Sequence, residues 1–553
     1  MHHHPSIERL EARIAPAGIV LAVYDPVTDE LTLTGDDLDN SVSVFQTSPT
    51  TWRVEGKDDA AFVKTSINEA GTDRLDIGAI AKLTIATAGG NDRVDLINLR
   101  GLKSLTVDTG AGNDTFKTNG LIVKGNASFS MGAGVDTVEL DGLVATISGN
   151  LGIIDSGDGL TFTFGAAAST VAGSVTYQGS SAVDVLTMET DTRLKIGKHI
   201  EFTANGGNDR LQFGSQGTVS IGRDLLGHSI VYHGGSGNDR IGIGASSVAI
   251  LGSVEMTGAN GNDTLDIDGL KVAIGKSVAG ISVHLDGAQG LDQVDLQGST
   301  LTVAGLVRLD GGTEADTLDL SGVHRLSLLG GARFDGGAGA EEFKIGADLL
   351  AITGTVQFDG GDDADVAEIE GDGTIRGAVS LLLGGATSGG QTADAHSRSG
   401  LPAGLKITGA LTIDATGIAG TTDSLKLTNL NVGGLLAITL GEGASSVDLD
   451  NLNTAAAVNI QTRGGDDDVQ IERDATFGVS TFRMATTIDL GIGTDSLFIG
   501  KGSKNNRVLF FGSLTADGGS GTDSRNDIAV DNKFTPPASY IESGFEVLVL
   551  PPI

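Results

Sequence analysis

Gly234-Gly235-Ser236-Gly237-Asn238-Asp239-Arg240-Ile241-Gly242 is one copy of a unit that recurs along most of the chain. Variants stand at 109–117 (TGAGNDTFK), 131–139 (MGAGVDTVE), 204–212 (ANGGNDRLQ), 258–266 (GANGNDTLD), 287–295 (GAQGLDQVD), 490–498 (LGIGTDSLF) and 518–526 (GGSGTDSRN). Aligned on the aspartate, the series reads Asp73, Asp92, Asp114, Asp136, Asp184, Asp209, Asp239, Asp263, Asp292, Asp316, Asp365, Asp423, Asp467, Asp495 and Asp523, with Glu341 filling one position. The usual interval is about 24 residues, and the longer gaps are places where one copy has decayed. A repeat of this length implies one structural coil per unit, stacked on its neighbours.

After each aspartate the pattern is x-U-x-U, where U is apolar. Leu211/Phe213, Ile241/Ile243, Leu265/Ile267, Val294/Leu296, Leu318/Leu320, Val469/Ile471 and Leu497/Ile499 are examples. Period two means a strand with these side chains turned to the core. Between Asp263 and Asp292 two further strand-like runs follow, Val272–Ile274 and Ile281–Leu285, separated by glycine or polar corners. No segment keeps 3.6-residue spacing across a helix length. The expected fold is therefore all-β: an elongated right-handed parallel β-helix, or β-solenoid, with about three short strands per coil.

Four regions are expected. Residues 1–17 form an N-terminal export- or anchor-like segment, beginning with the His2–His4 run. Residues 18–70 alternate in polarity and form a β cap over the first coil, which would otherwise expose core and unpaired backbone. Residues 71–530 are the solenoid. Its pattern breaks at 385–403 (GATSGGQTADAHSRSGLPA), read as a surface loop. Residues 531–553 are a C-terminal cap.

The 553 residues carry 71 Asp and Glu against 36 Lys and Arg, a net charge of −35. Phosphate binding needs clustered cations, so a nucleic-acid partner is excluded. There is no cysteine, hence no disulfide and no thiolate metal site. No apolar run approaches the ~18 residues of a membrane helix. Hydrophobic residues make up 39% of the chain, enough for a continuous core rather than disorder.

The unit G-G-x-G-x-D-x-U-x resembles the nonapeptide of RTX-type calcium-binding repeats, and residues 234–242 match it at every specified position. The resemblance implies Ca²⁺ held by turn carbonyls and an aspartate. Here the implied ligands are Asp92, Asp114, Asp136, Asp209, Asp239, Asp263, Asp292, Asp316, Asp495 and Asp523, with carbonyls of Gly234, Gly235 and Gly237. Hard oxygen donors of this kind suit Ca²⁺. In this family the nonapeptides run in tandem, whereas here one turn falls in each coil. The same Gly-Asn-Asp run also makes metal-free turns, with side chains capping their own backbone or stacking as ladders. The sequence leaves both readings open. A second acidic row, Asp76, Asp95, Asp266, Asp295 and Asp319, is expected on the outer face. Residues 6–14 (SIERLEARI) resemble the LEPR-type N-terminal segment of exported planctomycete-related proteins, with Ala12 where proline is usual.

These features point to a secreted or cell-surface bacterial protein: a calcium-stabilised structural or adhesive solenoid forming a fibre, layer or matrix. Its expected partners are calcium, further copies of itself and cell-surface glycans. The alternative is a carbohydrate-active β-helix enzyme, since parallel β-helices host lyases and hydrolases. Against it, aromatics are only 4% of the chain, too few for ready sugar stacking. His199, His228, His233, His284, His324 and His396 also show no metal-binding or catalytic spacing. No catalytic residue is assigned from the sequence.

Overall fold

A computed structural model describes residues 18–548, with internal gaps. Outside the description lie 1–17, 49, 58–63, 70, 386–388, 399–403, 417–420, 474–477, 501–506, 528–532, 535–539, 546 and 549–553. The LEPR-like segment is thus outside the described residues. Every described element is a β-strand. The chain divides into two compact units at Ala204/Asn205, inside the region read as one solenoid.

In the first unit, strands Arg93–Leu102, Thr115–Val123 and Asp136–Ile147 pair in parallel and in register. A second parallel sheet holds Lys82–Ala86, Ser104–Asp108, Ala127–Met131, Leu151–Asp155 and Val175–Gln178. The cap is different in kind. Ile19–Asp25 pairs antiparallel with Glu30–Thr34, and Ser41–Ser48 antiparallel with Thr51–Gly56. Ser41–Ser48 then continues in parallel onto Arg93–Leu102. A hairpin therefore closes the open end of the sheet and buries Trp52, which blunts an otherwise sticky edge.

The second unit repeats the parallel plan. Arg210–Ile221, Arg240–Ile250 and Thr264–Ile274 stack in one sheet, while His228–Ser236, Ser253–Asn260 and Ile281–Gln289 stack in the other. Three strand segments per coil are visible where the long strand splits, as in Gln293–Leu296 and Gly298–Val303 beneath Thr264–Ile274. Elsewhere the two segments merge through a bend. The fold is a parallel β-solenoid, as the periodicity implies.

All seven apolar pairs named above are buried. Identical positions of successive coils stack at about 4.8 Å, as Phe334 and Phe358 do, and other rings meet across the core between the two sheets. Phe116 and Phe129 pack edge-on at 5.2 Å, and Phe129 meets Phe162 at 5.4 Å. In the second unit Phe358 stacks on Phe343 at 5.5 Å and touches Phe334 at 5.4 Å.

Within the segment read as a loop, the described stretch 389–398 includes a strand of the coils. Thr392–His396 is a strand, paired with Val366–Ile375 on one side and Thr422–Thr428 on the other. Its small residues Ala393 and Ala395 are buried core positions, and their size hid the period-two signal. At the C-terminal end, Tyr540–Ser543 still pairs in parallel with Leu514–Asp517, so the coil plan continues into the region read as a cap. Replacing Phe358 by alanine removes the shared partner of two rings. Chemical denaturation is expected to show a loss of about 3–5 kcal/mol.

Candidate functional site

The corners after each glycine-rich turn are built around one aspartate. Its backbone carbonyl accepts from the following coil: Arg240 N–H donates to Asp209 O at 2.9 Å and Thr264 N–H to Asp239 O at 2.9 Å. Its own N–H is also taken by the following coil, through that coil's carboxylate. Asp209 N–H donates to Asp239 Oδ1 at 2.8 Å, Asp239 to Asp263 at 2.9 Å, Asp263 to Asp292 at 2.8 Å and Asp292 to Asp316 at 2.7 Å. The chain of contacts passes through Glu341 Oε2 to Asp365 Oδ1. It resumes from Asp467 to Asp495 and Asp523. The first unit has its own run, Asn40 to Asp92, Asp114 and Asp136.

The gaps in the aspartate series are now explained. Gln391 occupies the missing position and donates its N–H to Asp423, and Ser445 does the same toward Asp467. Leu160 N–H donates to Asp184. Asp73 departs from the series: it is exposed and paired with Lys64 at 2.7 Å.

A second ladder runs the opposite way on the adjacent residue. Asn238 N–H donates to Asn208 Oδ1 at 2.8 Å, Asn262 to Asn238 at 2.9 Å and Leu291 to Asn262 at 3.0 Å. Asn91 and Asn113 do this in the first unit. Each Asn-Asp pair thus holds one coil to both neighbours.

Two glycines make the corner possible. At Gly258 a Cβ would stand 1.6 Å from Asp263 Oδ2, so the first glycine of the unit backs directly onto its own carboxylate. At Gly237, φ is +127°, and a Cβ would lie 1.7 Å from Gly207 O of the preceding coil. A left-handed backbone in close contact with another backbone favours glycine, although Glu314 holds the matching position of its own coil with φ +77°.

Every expected aspartate ligand is buried: Asp92, Asp114, Asp136, Asp209, Asp239, Asp263, Asp292, Asp316, Asp495 and Asp523. For Asp136, Asp263, Asp292, Asp316, Asp365 and Asp495 the second carboxylate oxygen is buried and makes no hydrogen bond. Loss of water, partly offset by the backbone N–H, pushes Asp136, Asp263, Asp316, Asp365 and Asp495 up to about 7, and Asp239 and Asp292 to about 6. Glu341 rises to about 8. Acids one coil away add to several of these shifts, as Asp292 and Asp239 do for Asp263. The structure therefore aligns these residues as a column of single carboxylates rather than as convergent groups of three.

Part of the outer acidic row is in register: Asp266 lies beside Asp295 and Asp295 beside Asp319, whereas Asp76 pairs antiparallel with Arg53 and Asp95 lies beside Lys117. Elsewhere on the second unit, residues the sequence did not single out converge. His324 Nδ1 lies 2.6 Å from Asp348 Oδ2. Arg398 bridges Asp348 at 3.0 Å and Glu370 at 2.9 Å. His396 lies between Asp394, at 3.0 Å, and Glu370, at 3.5 Å. The Asp394 contact is the main cause that lifts the His396 imidazole above its ordinary value. His324 also borders a groove of about 530 Å³ whose lining includes Gly244, Gly269, Gly298, Gly322 and Asp268. The only sequence signal for this cluster was the alternation Glu368-x-Glu370 and Asp394-x-His396, half of it inside the segment read as a loop.

No family model, curated protein or solved structure matches the chain.

A column carboxylic acid with a raised folded-state value has a definite linkage sign. Its stabilisation is fully present below the ordinary value near 4 and is lost as pH rises through about 7. In the absence of divalent cations the midpoint of thermal unfolding is thus expected to be higher at pH 5 than at pH 8, the reverse of ordinary acid denaturation. The single-site version separates charge from hydrogen bonding. Asp263→Asn keeps an acceptor for Asp239 N–H and is expected to be neutral or stabilising at pH 8. Asp263→Ala orphans that N–H and is expected to cost about 1–3 kcal/mol.

Proposed function

We propose that this chain is a structural protein of the bacterial exterior: a β-solenoid whose corners take up calcium and whose repeated faces serve assembly into a fibre, layer or matrix. The observation that carries this reading is the column of buried carboxylates, whose second oxygen is orphaned at Asp136, Asp263, Asp292, Asp316, Asp365 and Asp495. At neutral pH each such oxygen requires a proton or a counter-ion, because an unpaired buried charge is strongly disfavoured. The donor set is oxygen only, which suits Ca²⁺. Asp239 with the carbonyls of Gly234, Gly235 and Gly237 would hold it, as would the matching corners at Asp114, Asp136 and Asp263. The first glycine closes over Oδ2, so an ion enters by parting the corner, and binding is coupled to how each coil seats on the next. Calcium would supply positive charge to the column, stiffening the protein where the ion is abundant and leaving it looser inside the cell. Among the described residues no helix is long and apolar enough to cross a membrane.

Thermal unfolding at pH 8 in EGTA, in Ca²⁺ and in Mg²⁺ tests this reading. A rise of the midpoint in Ca²⁺ alone is expected, and Asp239→Asn/Asp263→Asn should reduce the rise. Equal midpoints in all three would leave a metal-free solenoid held by its ladders.

A carbohydrate-active enzyme is the second reading. The mixed acidic and basic groups His324, Asp348, Glu370 and Arg398, the last within the 385–403 segment, favour it. Incubation with a panel of polysaccharides decides it: release of reducing ends or unsaturated products that His324→Ala abolishes supports it, and an inert protein across the panel removes it.

A further inference from the structure

The outer face of the second unit carries a square of four side chains on two adjacent strands. Glu368 and Glu370 belong to Val366–Ile375, and Asp394 and His396 to Thr392–His396. The register sets Glu368 beside Asp394 and Glu370 beside His396. Period two turns all four outward on the same face. The strand pairing brings them together, so the convergence is a property of the backbone and not of long side chains that happen to meet.

Among the described residues, Glu368, Glu370 and His396 are the set of three whose ligand atoms all lie within 4.8 Å of one another. His396 Nε2 stands 3.5 Å from Glu370 Oε1, long for a charge-assisted hydrogen bond. It is, however, the edge of a tetrahedron: two ligands bonded at about 2.1 Å to one tetrahedral ion are about 3.4 Å apart. The other ring nitrogen, Nδ1, is 3.0 Å from Asp394 Oδ1. A carboxylate on the far nitrogen fixes the tautomer and aims the remaining lone pair, the arrangement found behind metal-bound histidines. Glu370 keeps Oε2 on Arg398 at 2.9 Å, which orients it and leaves Oε1 turned to the imidazole. Glu368 makes no hydrogen bond or ion pair among the described residues. Lys344, beside it in register, is turned instead to Glu342.

We propose that Glu368, Glu370 and His396 bind a divalent transition metal of the zinc type, with Asp394 as the positioning residue behind His396. The imidazole separates this site from the corner column: nitrogen suits Zn²⁺ or Co²⁺ and is a poor ligand for Ca²⁺. Three protein ligands leave a fourth position open to water or to a group from outside. The metal clips two neighbouring coils on their outer face. The proposal rests on neither functional reading above, although Glu370 also belongs to the charged group of the second.

Titration of the full chain with Co²⁺ tests it. His2, His3 and His4 are replaced by alanine in every protein compared, because that run binds Co²⁺ by itself. One equivalent is expected to bind with visible absorption bands, displaced by Zn²⁺ and unaffected by excess Ca²⁺. His396→Gln is expected to abolish the bands. Glu368→Gln should weaken binding at least 10-fold, and Asp394→Asn by about 10–100-fold. No saturable band, or the same midpoint for His396→Gln, overturns the proposal. Should a variant fail to fold, a zinc-edge anomalous peak in Zn²⁺-soaked crystals decides. A peak bonded to His396 Nε2 supports the site, and its absence overturns it.

Discussion

A buried carboxylate at the corner of most coils sets the geometry of this molecule. A parallel solenoid must satisfy the backbone at every corner, where the sheet ladder is interrupted and the chain changes direction. Here the corner peptide of most repeats has its carbonyl taken by the next coil's N–H and its own N–H taken by the next coil's carboxylate, as at Asp239 and Asp263. Hydrogen bonds from N–H to a charged or partly charged acceptor are the strong ones. The glycines then follow as a consequence. One must lack a side chain because the carboxylate lies against it, and another must turn left-handed against the preceding coil.

This arrangement explains which substitutions the repeat has absorbed. Glu341 replaces aspartate with a longer side chain and still reaches Asp316 N–H at 2.7 Å. Gln391 and Ser445 lack the carboxylate but still donate upward, so the coils around them keep their register. It also creates an electrostatic liability. Carboxylates one coil apart, stripped of water, are uncharged or compensated at equilibrium. That tension links the column to protons and, in the function proposed here, to calcium. The outer faces carry a different chemistry, with paired charges such as Arg308 and Asp310 at 2.6 Å and the His396 square. Column and faces can therefore respond to different ions.

Much of this was legible in the linear order of residues. The Gly-Asp spacing and the x-U-x-U runs specify parallel coils and name the inward side chains, because period two and a fixed repeat leave little freedom once stacking begins. The same reading identified the acids that stand at the corners and the acidic row that stands outside. It went astray where the signal depends on side-chain size. Ala393 and Ala395 are core residues too small to register as apolar alternation, so a coil looked like a loop. Asp73 fits the alignment by position, yet it sits among the antiparallel strands of the cap, where Lys64 draws it to the surface.

The sequence alone determined the fold class, the repeat and the line of acids, since each is carried by residues close together in one coil. Only the tertiary structure decided what each acid touches. The partner of Asp239 is a backbone N–H some 30 residues earlier, and Glu370, one partner of His396, sits on a strand of the neighbouring coil. Contacts between coils depend on register to a single residue, and a one-residue slip turns every side chain to the opposite face. Stacking of the coils fixes that register, and no local run of residues contains it.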